Sequence, residues 1–207
     1  MQRLILAAVL SLTSLSAHAD EQMRQVTPFK GITVQGPVSL VVEAGKSFSL
    51  RIEGDARFIE RVTSEVAGGE LRLGFKESKR TNIGNKDRVI VTMPELQRFS
   101  GEGAGQIILN NVRGDRFDVD YRGAGRLAIN GEVRSLRLQA EGVGEVDTKD
   151  LRTRDADVSF AGIGSVKVHA SDKLDAHVTG MGNLSYYGNP RKVNKSVSGI
   201  GSVVAVK

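Results

Sequence analysis

A short glycine motif recurs six times in the second half of the chain, and its spacing constrains the fold more than any other feature. Each copy is a glycine, an apolar residue and a second glycine, followed after one further position by an aliphatic residue. The first glycines of successive copies lie 20, 19, 20, 18 and 19 residues apart. A period of this kind indicates one short structural unit stacked on copies of itself. The copies begin at Gly103, Gly123, Gly142, Gly162, Gly180 and Gly199.

Apolar and polar residues alternate on both sides of each motif, for example in Leu136–Ala140 and Leu174–Val178. This alternation is typical of β-strands, and no repeat carries the apolar stripe of an amphipathic helix. A period near 19 residues is also shorter than a propeller blade or a helical repeat. We therefore predict an all-β fold, a parallel β-helix (β-solenoid) with about 19–20 residues per repeat.

Stacked repeats place equivalent residues above one another at about 4.8 Å. We expect the glycines to sit at corners, with positive φ or with close approach between repeats. The apolar residue between the two glycines is expected to point inward, and the residue after the second glycine to face water, with Arg126 beside Glu145. The aliphatic residue that follows is expected to form one buried row: Ile107, Leu127, Val146, Val166, Leu184 and Val203.

The segment before the repeats lacks the glycine motif and is predicted to form an N-terminal β-rich cap at 20–98, ahead of the repeat region at 99–207. It contains one short amphipathic helix pattern near Asp55–Val66. The charged stretch 76–88 is predicted to be a loop. Four strands are predicted in this segment: Ile32–Val34, Val38–Val42, Leu71–Phe75 and Val89–Met93.

Residues 1–19 have the composition of a secretory signal peptide. Arg3 precedes the apolar run Leu4–Leu15, and Ala17–Ala19 is an Ala-x-Ala cleavage site. Cleavage after Ala19 predicts a periplasmic or secreted protein. No membrane anchor is expected, because no later stretch reaches 18 uninterrupted apolar residues. The chain has no cysteine, so its fold needs no disulfide.

Three elements together resemble a known family. The opening Phe29–Val34, the serial Gly-Ala-Gly units, and Ser185–Pro190 leading into Ser198–Val203 are similar to the GIN-domain family. That family is described as "putative auto-transporter adhesin" head domains and was formerly a domain of unknown function. The resemblance covers about 29 to 206 as one continuous domain. It implies a β-helix-like fold in a bacterial cell-envelope or secreted protein.

Two pairs of acids are the best catalytic candidates. Asp118 with Asp120, and Asp155 with Asp157, lie on the same side of their strands, and a glycoside hydrolase needs two such carboxylates. Alternating polar positions produce the same spacing without any catalytic role. The sequence has no cysteine nucleophile and no serine placed beside a histidine and an acid. We therefore expect no catalytic residues and no enzyme.

Metal and nucleotide motifs are incomplete. His169 and His177 flank acids at 172 and 175 on either side of a turn, but zinc needs three or four convergent ligands. Gly144–Asp147 distantly resembles a calcium-binding repeat, yet its period is twice the expected nine residues. Gly123–Ala128 fits a dinucleotide fingerprint, but a strand follows it where a helix is required. We expect no metal site and no cofactor.

These observations favour an exported, non-enzymatic module for binding, adhesion or envelope interaction. Tyr187 is the best exposed aromatic for a sugar contact, with Tyr186 expected in the core. Two alternatives stay open: a carbohydrate-active enzyme on envelope or host polysaccharide, and a polyanion-binding protein, since 29 basic residues face 24 acidic ones. The expected partner is an unidentified envelope or extracellular polymer or protein, and not a nucleic acid. The unpaired edge of the last repeat also predicts a homo-oligomer.

Overall fold

The structure, a computed structural model, describes residues 20–76, 84 and 86–206. The predicted signal peptide and most of the loop predicted at 76–88 lie outside the described residues. Within them, eleven strands and one short helix make the protein nearly all β, which confirms the all-β prediction. The elements are β1 Asp20–Arg24, β2 Gly31–Gln35, β3 Val38–Ala44, β4 Ser49–Gly54, α1 Ala56–Arg61, β5 Val62–Ala67, β6 Glu70–Phe75, β7 Arg88–Met93, β8 Arg98–Thr148, β9 Leu151–His169, β10 Lys173–Tyr187 and β11 Lys192–Ala205.

The strands form a single curled sheet. One path through it runs β1-β4-β7-β3-β8-β2-β6-β5, and β9, β10 and β11 continue from β8 in that order. The pairings from β8 to β11 are all parallel. Parallel neighbours with short connections are possible here because each strand bends along its length, so that the chain returns to its starting edge.

The register of these parallel pairs follows the sequence period. Gly142 pairs with Gly162, Gly162 with Gly180, and Gly180 with Gly199. Each residue therefore faces the residue 18 to 20 positions later. The predicted aliphatic row is confirmed as buried, with at most 5% of any member exposed: Ile107, Leu127, Val146, Val166, Leu184 and Val203. Burying each of these side chains contributes about 1.5–3 kcal/mol.

The N-terminal strands belong to the same sheet. The register pairs Gln35 of β2 with Glu102, and Val38 of β3 with Gly105, so β2 and β3 lie against the first part of β8. On their other side, β2 pairs with β6 and then β5, while β3 pairs with β7, β4 and β1. All four strands predicted in this segment form. The strands β1 and β4 are additional, and the alternating Leu50 and Ile52 of β4 are fully buried.

The helix is shorter than predicted. Asp55 is its N-cap, with Oδ1 accepting a hydrogen bond from the Phe58 backbone N–H at 2.7 Å, and the helix ends at Arg61. From Val62 onward the chain is extended and pairs antiparallel with β6. The prediction was wrong for Val62–Val66, because an available ladder partner and β-branched side chains favour a strand there. In the described part of the chain, no helix has the length and apolar character to cross a bilayer.

Candidate functional site

The residue between the two glycines points outward, so the prediction that it packs inward was wrong. Side chains alternate along a strand, and Ile107 is buried. Counting back in twos from Ile107 puts both glycines on the inward side and Ala104 on the outward side, where it is exposed. The glycines face the interior without a side chain. This leaves the apolar middle residue of every repeat on the surface.

These middle residues form an exposed apolar row on the surface, which we call the apolar ladder. Val143 pairs in register with Ile163, Ile163 with Met181, and Met181 with Ile200. Their exposed fractions are 55%, 48%, 51% and 76%. With strands about 4.8 Å apart, the four side chains span about 14 Å. A continuous row of large exposed apolar side chains is a feature of binding surfaces.

The ladder ends at an open sheet edge. The strand β11 pairs only with β10, and no other described strand lies against its outer side. Its exposed apolar residues are Val197, Ile200 and Val204, and Val206 follows directly after the strand. An open edge leaves backbone N–H and C=O groups available to a further strand. The end of the molecule therefore offers both hydrogen-bonding groups and apolar contacts.

One lysine sits at this edge on the inward side. Lys195 is in register with Ala176, which is fully buried one repeat earlier. The Lys195 side chain reaches across the end of the core, and its Nζ donates to the Val203 carbonyl at 3.3 Å. Inward-pointing charges on edge strands limit uncontrolled sheet extension. Strand β11 carries no acidic residue to neutralise Lys195.

A second surface is a groove of about 1290 Å³ formed where successive repeats turn. Its charged lining is mostly basic, with five cations against Glu132 and Asp150. Val133 and Thr153 are the buried lining residues. His169, Ser171 and Tyr187 complete the polar lining. The five cations, which we call the groove cations, are Arg113, Arg134, Lys149, Arg152 and Arg154.

Ion pairs fix one side of this groove. Arg154 donates to Asp172 Oδ2 from Nε at 3.1 Å and from a terminal nitrogen at 3.0 Å. Arg191 donates to Oδ1 of the same carboxylate at 2.7 Å. These donors, with Arg191 first, lower the pKa of Asp172 below its usual value. Asp172 therefore stays ionised and holds Arg154 in place.

The predicted acid pairs lie in ion pairs with neighbouring bases. Asp118 is 2.8 Å from Arg116, and Asp120 is 3.5 Å from Arg122. Asp155 lies 3.9 Å from the Arg154 guanidinium. Asp157 is in register with Asp175, whose pKa is lowered mainly by its hydrogen bond from Lys173.

The resolved pKa changes of carboxyl groups all go downward. They concern Glu95, Glu145, Asp172 and Asp175. A general acid that works near neutral pH needs a raised pKa instead. These four groups are therefore suited to ion pairing and not to donating a proton in catalysis.

The two histidines are not brought together. His169 pairs in register with Tyr187, whereas His177 pairs with Ser159. The acids between them are occupied, Asp172 by two arginines and Asp175 by Lys173 and Asn194. No group of three metal-ligating side chains occurs among the described residues.

The glycine motifs that suggested ligand chemistry serve the sheet. Gly123–Ala128 lies inside β8 and no helix follows it. Asp147 of the calcium-like motif is nearly buried and lies 3.7 Å from both Arg126 and Lys167. The predicted contact between Arg126 and Glu145 is confirmed at 3.7 Å. The Lys167 ammonium, through a hydrogen bond at 2.7 Å, is the main cause of the lowered pKa of Glu145.

The tyrosines divide as expected. Tyr186 packs partly buried against the core, and Tyr187 lines the groove. Sequence reasoning missed the groove cations themselves. Their signal was the spacing, since Arg113, Arg134 and Arg154 lie 21 and 20 residues apart, which is one repeat each.

Comparison with known proteins identifies the family. A family model described as "Putative auto-transporter adhesin, head GIN domain" matches residues 28–190. The chain belongs to the GIN-domain family. Solved structures agree in fold: a putative adhesin from Bacteroides fragilis has a TM-score of 0.74 at 22% identity, covering 92% of this chain and 98% of that one. A putative adhesin from Parabacteroides merdae has a TM-score of 0.52 at 19% identity, covering 92% and 97%. No curated protein matches this GIN-domain chain.

Proposed function

We propose that this GIN-domain protein is an exported, non-catalytic binding module of the adhesion type, acting in the periplasm or outside the cell. We further propose that its repeats form a parallel β-solenoid. The 18-to-20-residue register between β8, β9, β10 and β11 supports the solenoid. The family description supports adhesion. The signal-like composition of residues 1–19 supports export.

The observation that carries the binding role is the open edge of β11 beside the apolar ladder. A partner strand added to this edge gains main-chain hydrogen bonds along the strand, and side-chain pockets set its specificity. Ile200, the most exposed member of the ladder at 76%, lies on this last strand. A partner strand would continue the ladder and cover Ile200.

The charge at the edge specifies the partner's chemistry. The partner is a polypeptide strand with an apolar residue beside Ile200 on the outward side. On the inward side it carries a carboxylate beside Lys195, which is the complement of an acid-free strand. The flanks of the ladder at this end are small and uncharged, namely Thr179, Ser198, Asn183 and Ser202. They favour a protein surface over a charged polymer at this place.

Peptide selection tests this proposal. Twelve-residue peptides displayed on phage are selected against residues 20–207, and the binders are measured by calorimetry. We expect sequences that alternate apolar residues with an acid. Hydrogen–deuterium exchange should show new protection confined to Lys192–Ala205, because only that edge has free backbone groups. Binders that protect another part of the chain would overturn the assignment.

Two charge reversals on the same strand provide the control. Lys195→Glu should weaken binding of an acid-bearing peptide about tenfold or more, since a charge-assisted hydrogen bond is replaced by repulsion. Lys192→Glu makes the same charge change on the outward side of β11 and should have a smaller effect. Equal losses would show that net charge, and not the inward position, governs binding. Breakdown of polysaccharide by the purified chain would contradict the non-catalytic role.

A second copy of this chain is one possible source of the strand, and the homo-oligomer predicted from the sequence is part of this proposal. Light scattering at high protein concentration tests it. A concentration-dependent increase in mass that Lys195→Glu alters would identify the second copy as the partner. A constant monomer mass, together with peptide binding, would assign the edge to a different protein.

A further inference from the structure

The groove between the repeats is a separate surface, and it shares no lining residue with the apolar ladder or with β11. We infer that this groove binds an anionic polysaccharide. The inference goes beyond the proposed function, because it assigns a second site and a different class of ligand. It rests on the positions of the groove cations, their ion-pairing, and the neutral groups between them.

The groove cations come from successive repeats. Arg113, Arg134 and Arg154 are separated by one repeat each. The neighbours of Arg134 and Arg154 pair in register, Val133 with Thr153 and Ser135 with Asp155. The lining continues through Ser171 to Tyr187. Five passes of the chain at about 4.8 Å give a groove about 19 Å long that runs along the stacking direction. A linear polymer lying in it meets new contacts at each repeat.

Two arginines are available to a ligand. Arg134 and Arg152 are exposed and form no ion pair with any described residue. Arg154 on the adjacent position is held by Asp172 and so provides a fixed wall. The planar guanidinium group binds carboxylate and other planar or tetrahedral oxyanions with two parallel hydrogen bonds. Free guanidinium groups beside an anchored one are suited to a repeating series of anionic groups.

The neutral lining fits the hydroxyl groups of sugars. His169 Nδ1 accepts from the Thr153 backbone N–H at 3.4 Å, which places the imidazole proton on Nε2. Thr153 Oγ1 in turn donates to the His169 carbonyl. Ser171 supplies a hydroxyl group, and Tyr187, in register with His169, supplies a half-buried ring. These groups donate and accept hydrogen bonds between the charged positions.

The same lining disfavours a nucleic acid. Proteins that bind single strands combine a basic groove with several aromatic side chains on which successive bases stack. The groove contains Tyr187 as its one aromatic lining residue among the described positions. Glu132 and Asp150 also place carboxylates within the lining, which opposes a densely charged phosphate backbone. A polymer with spaced charges and many hydroxyl groups fits better.

Binding measurements on residues 20–207 test the inference. The probes are heparin, which carries sulfate and carboxylate, polygalacturonate, which carries carboxylate only, neutral dextran, and single-stranded DNA. We expect micromolar or tighter binding to at least one anionic polysaccharide at low salt. Its affinity should fall as salt rises, because bound counterions are released. Comparing heparin with polygalacturonate identifies which anion the groove prefers.

Matched variants locate the site. Arg134→Ser with Arg152→Ser should weaken binding about tenfold, and it should reduce the salt dependence because two contacts are lost. Arg98→Ser with Arg137→Ser removes two exposed arginines without ion-pair partners from another face and is the charge-matched control. It should leave the affinity within about twofold. Neither pair should change the binding of peptides to β11.

Four results would overturn the inference. They are the absence of binding to both anionic polysaccharides at low salt, equal losses in the two double variants, equal binding of dextran, and tighter binding of DNA than of either anionic polysaccharide. Because all four substituted arginines are exposed, the thermal midpoint of each variant should stay within a few degrees of the parent.

Discussion

The glycines of the motif are expected to determine whether the repeats can stack, and Gly144→Ala is the sharpest test. Gly144 has a φ of +145°, and a Cβ at this position would lie 2.0 Å from the Gly125 carbonyl oxygen of the preceding repeat. That oxygen is backbone and cannot rotate away. The substitution must therefore strain φ and also push two repeats apart.

The expected cost combines two contributions. A positive φ costs an L-residue about 1–2 kcal/mol. Forcing extra volume into a packed interior costs about 1–3 kcal/mol. Together they lower the free energy of unfolding by about 2–5 kcal/mol, a large share of the 5–15 kcal/mol typical of a domain. At about 2–4 °C per kcal/mol, the thermal midpoint should fall by about 4–20 °C.

Three other positions separate these contributions. Gly68 has a φ of +62°, and a Cβ added there would have no other atom within 4 Å, so Gly68→Ala tests the backbone conformation alone. Gly123 lacks the positive φ, yet its Cβ would lie 1.7 Å from the Gly103 oxygen, so Gly123→Ala tests the close approach alone. The exposed Ala104→Gly should cost at most about 1 kcal/mol.

Urea unfolding followed by circular dichroism gives the free energies. We expect Gly144→Ala to be the most destabilising of the four, with Gly123→Ala and Gly68→Ala between it and Ala104→Gly. A loss for Gly144→Ala no larger than that for Gly68→Ala would refute the argument, because close approach between repeats would then contribute nothing.

Three further results are expected. Leu127→Ala, at a fully buried position of the aliphatic row, should lower stability by about 2–5 kcal/mol, whereas Met23→Ser at a 59% exposed position should change it little; similar values would argue against a shared core. The Tyr121 hydroxyl is buried without a hydrogen-bond partner among the described residues, so Tyr121→Phe should raise stability, by about 1 kcal/mol in calorimetry, and a decrease would indicate a bound partner for the hydroxyl. Because ion pairing lowers the pKa of Asp172 in the folded state, its stabilisation is present above the ordinary Asp pKa of about 3.9 and is lost as pH falls through the lower folded value; Asp172→Asn should flatten that part of the stability profile, and an unchanged profile would show that the ion pairs do not contribute.

Much of the fold could be predicted because the repeat is encoded in local pattern. The glycine period predicted the register that pairs Gly142 with Gly162, and the alternation predicted the buried row that contains Leu127 and Val166. The same alternation, counted back from Ile107, also contained the outward position of Ala104. The inward prediction failed because the apolar character of the middle residue was given more weight than its place in the alternation.

The binding surfaces were harder to predict because they depend on which residues the stacking brings together. Arg113, Arg134 and Arg154 are ordinary surface residues in the sequence, and they form a groove only when the repeats are in register. Lys195 resembles any lysine on a strand until its buried counterpart Ala176 is known. The helix beyond Arg61 was overpredicted because its strand partner β6 lies later in the chain.

Disulfide trapping measures the central claim most directly, namely that like positions of consecutive repeats are neighbours on one exposed row. The chain has no cysteine, so introduced pairs are free of competing thiols. Ile163 and Met181 are in register, and adjacent strands bring Cα atoms within the range a disulfide can bridge. Ile163→Cys with Met181→Cys should therefore cross-link rapidly under mild oxidation in the folded monomer. Ile163→Cys with His177→Cys should not, because His177 pairs with Ser159. Efficient cross-linking of the second pair, or none of the first, would contradict the account.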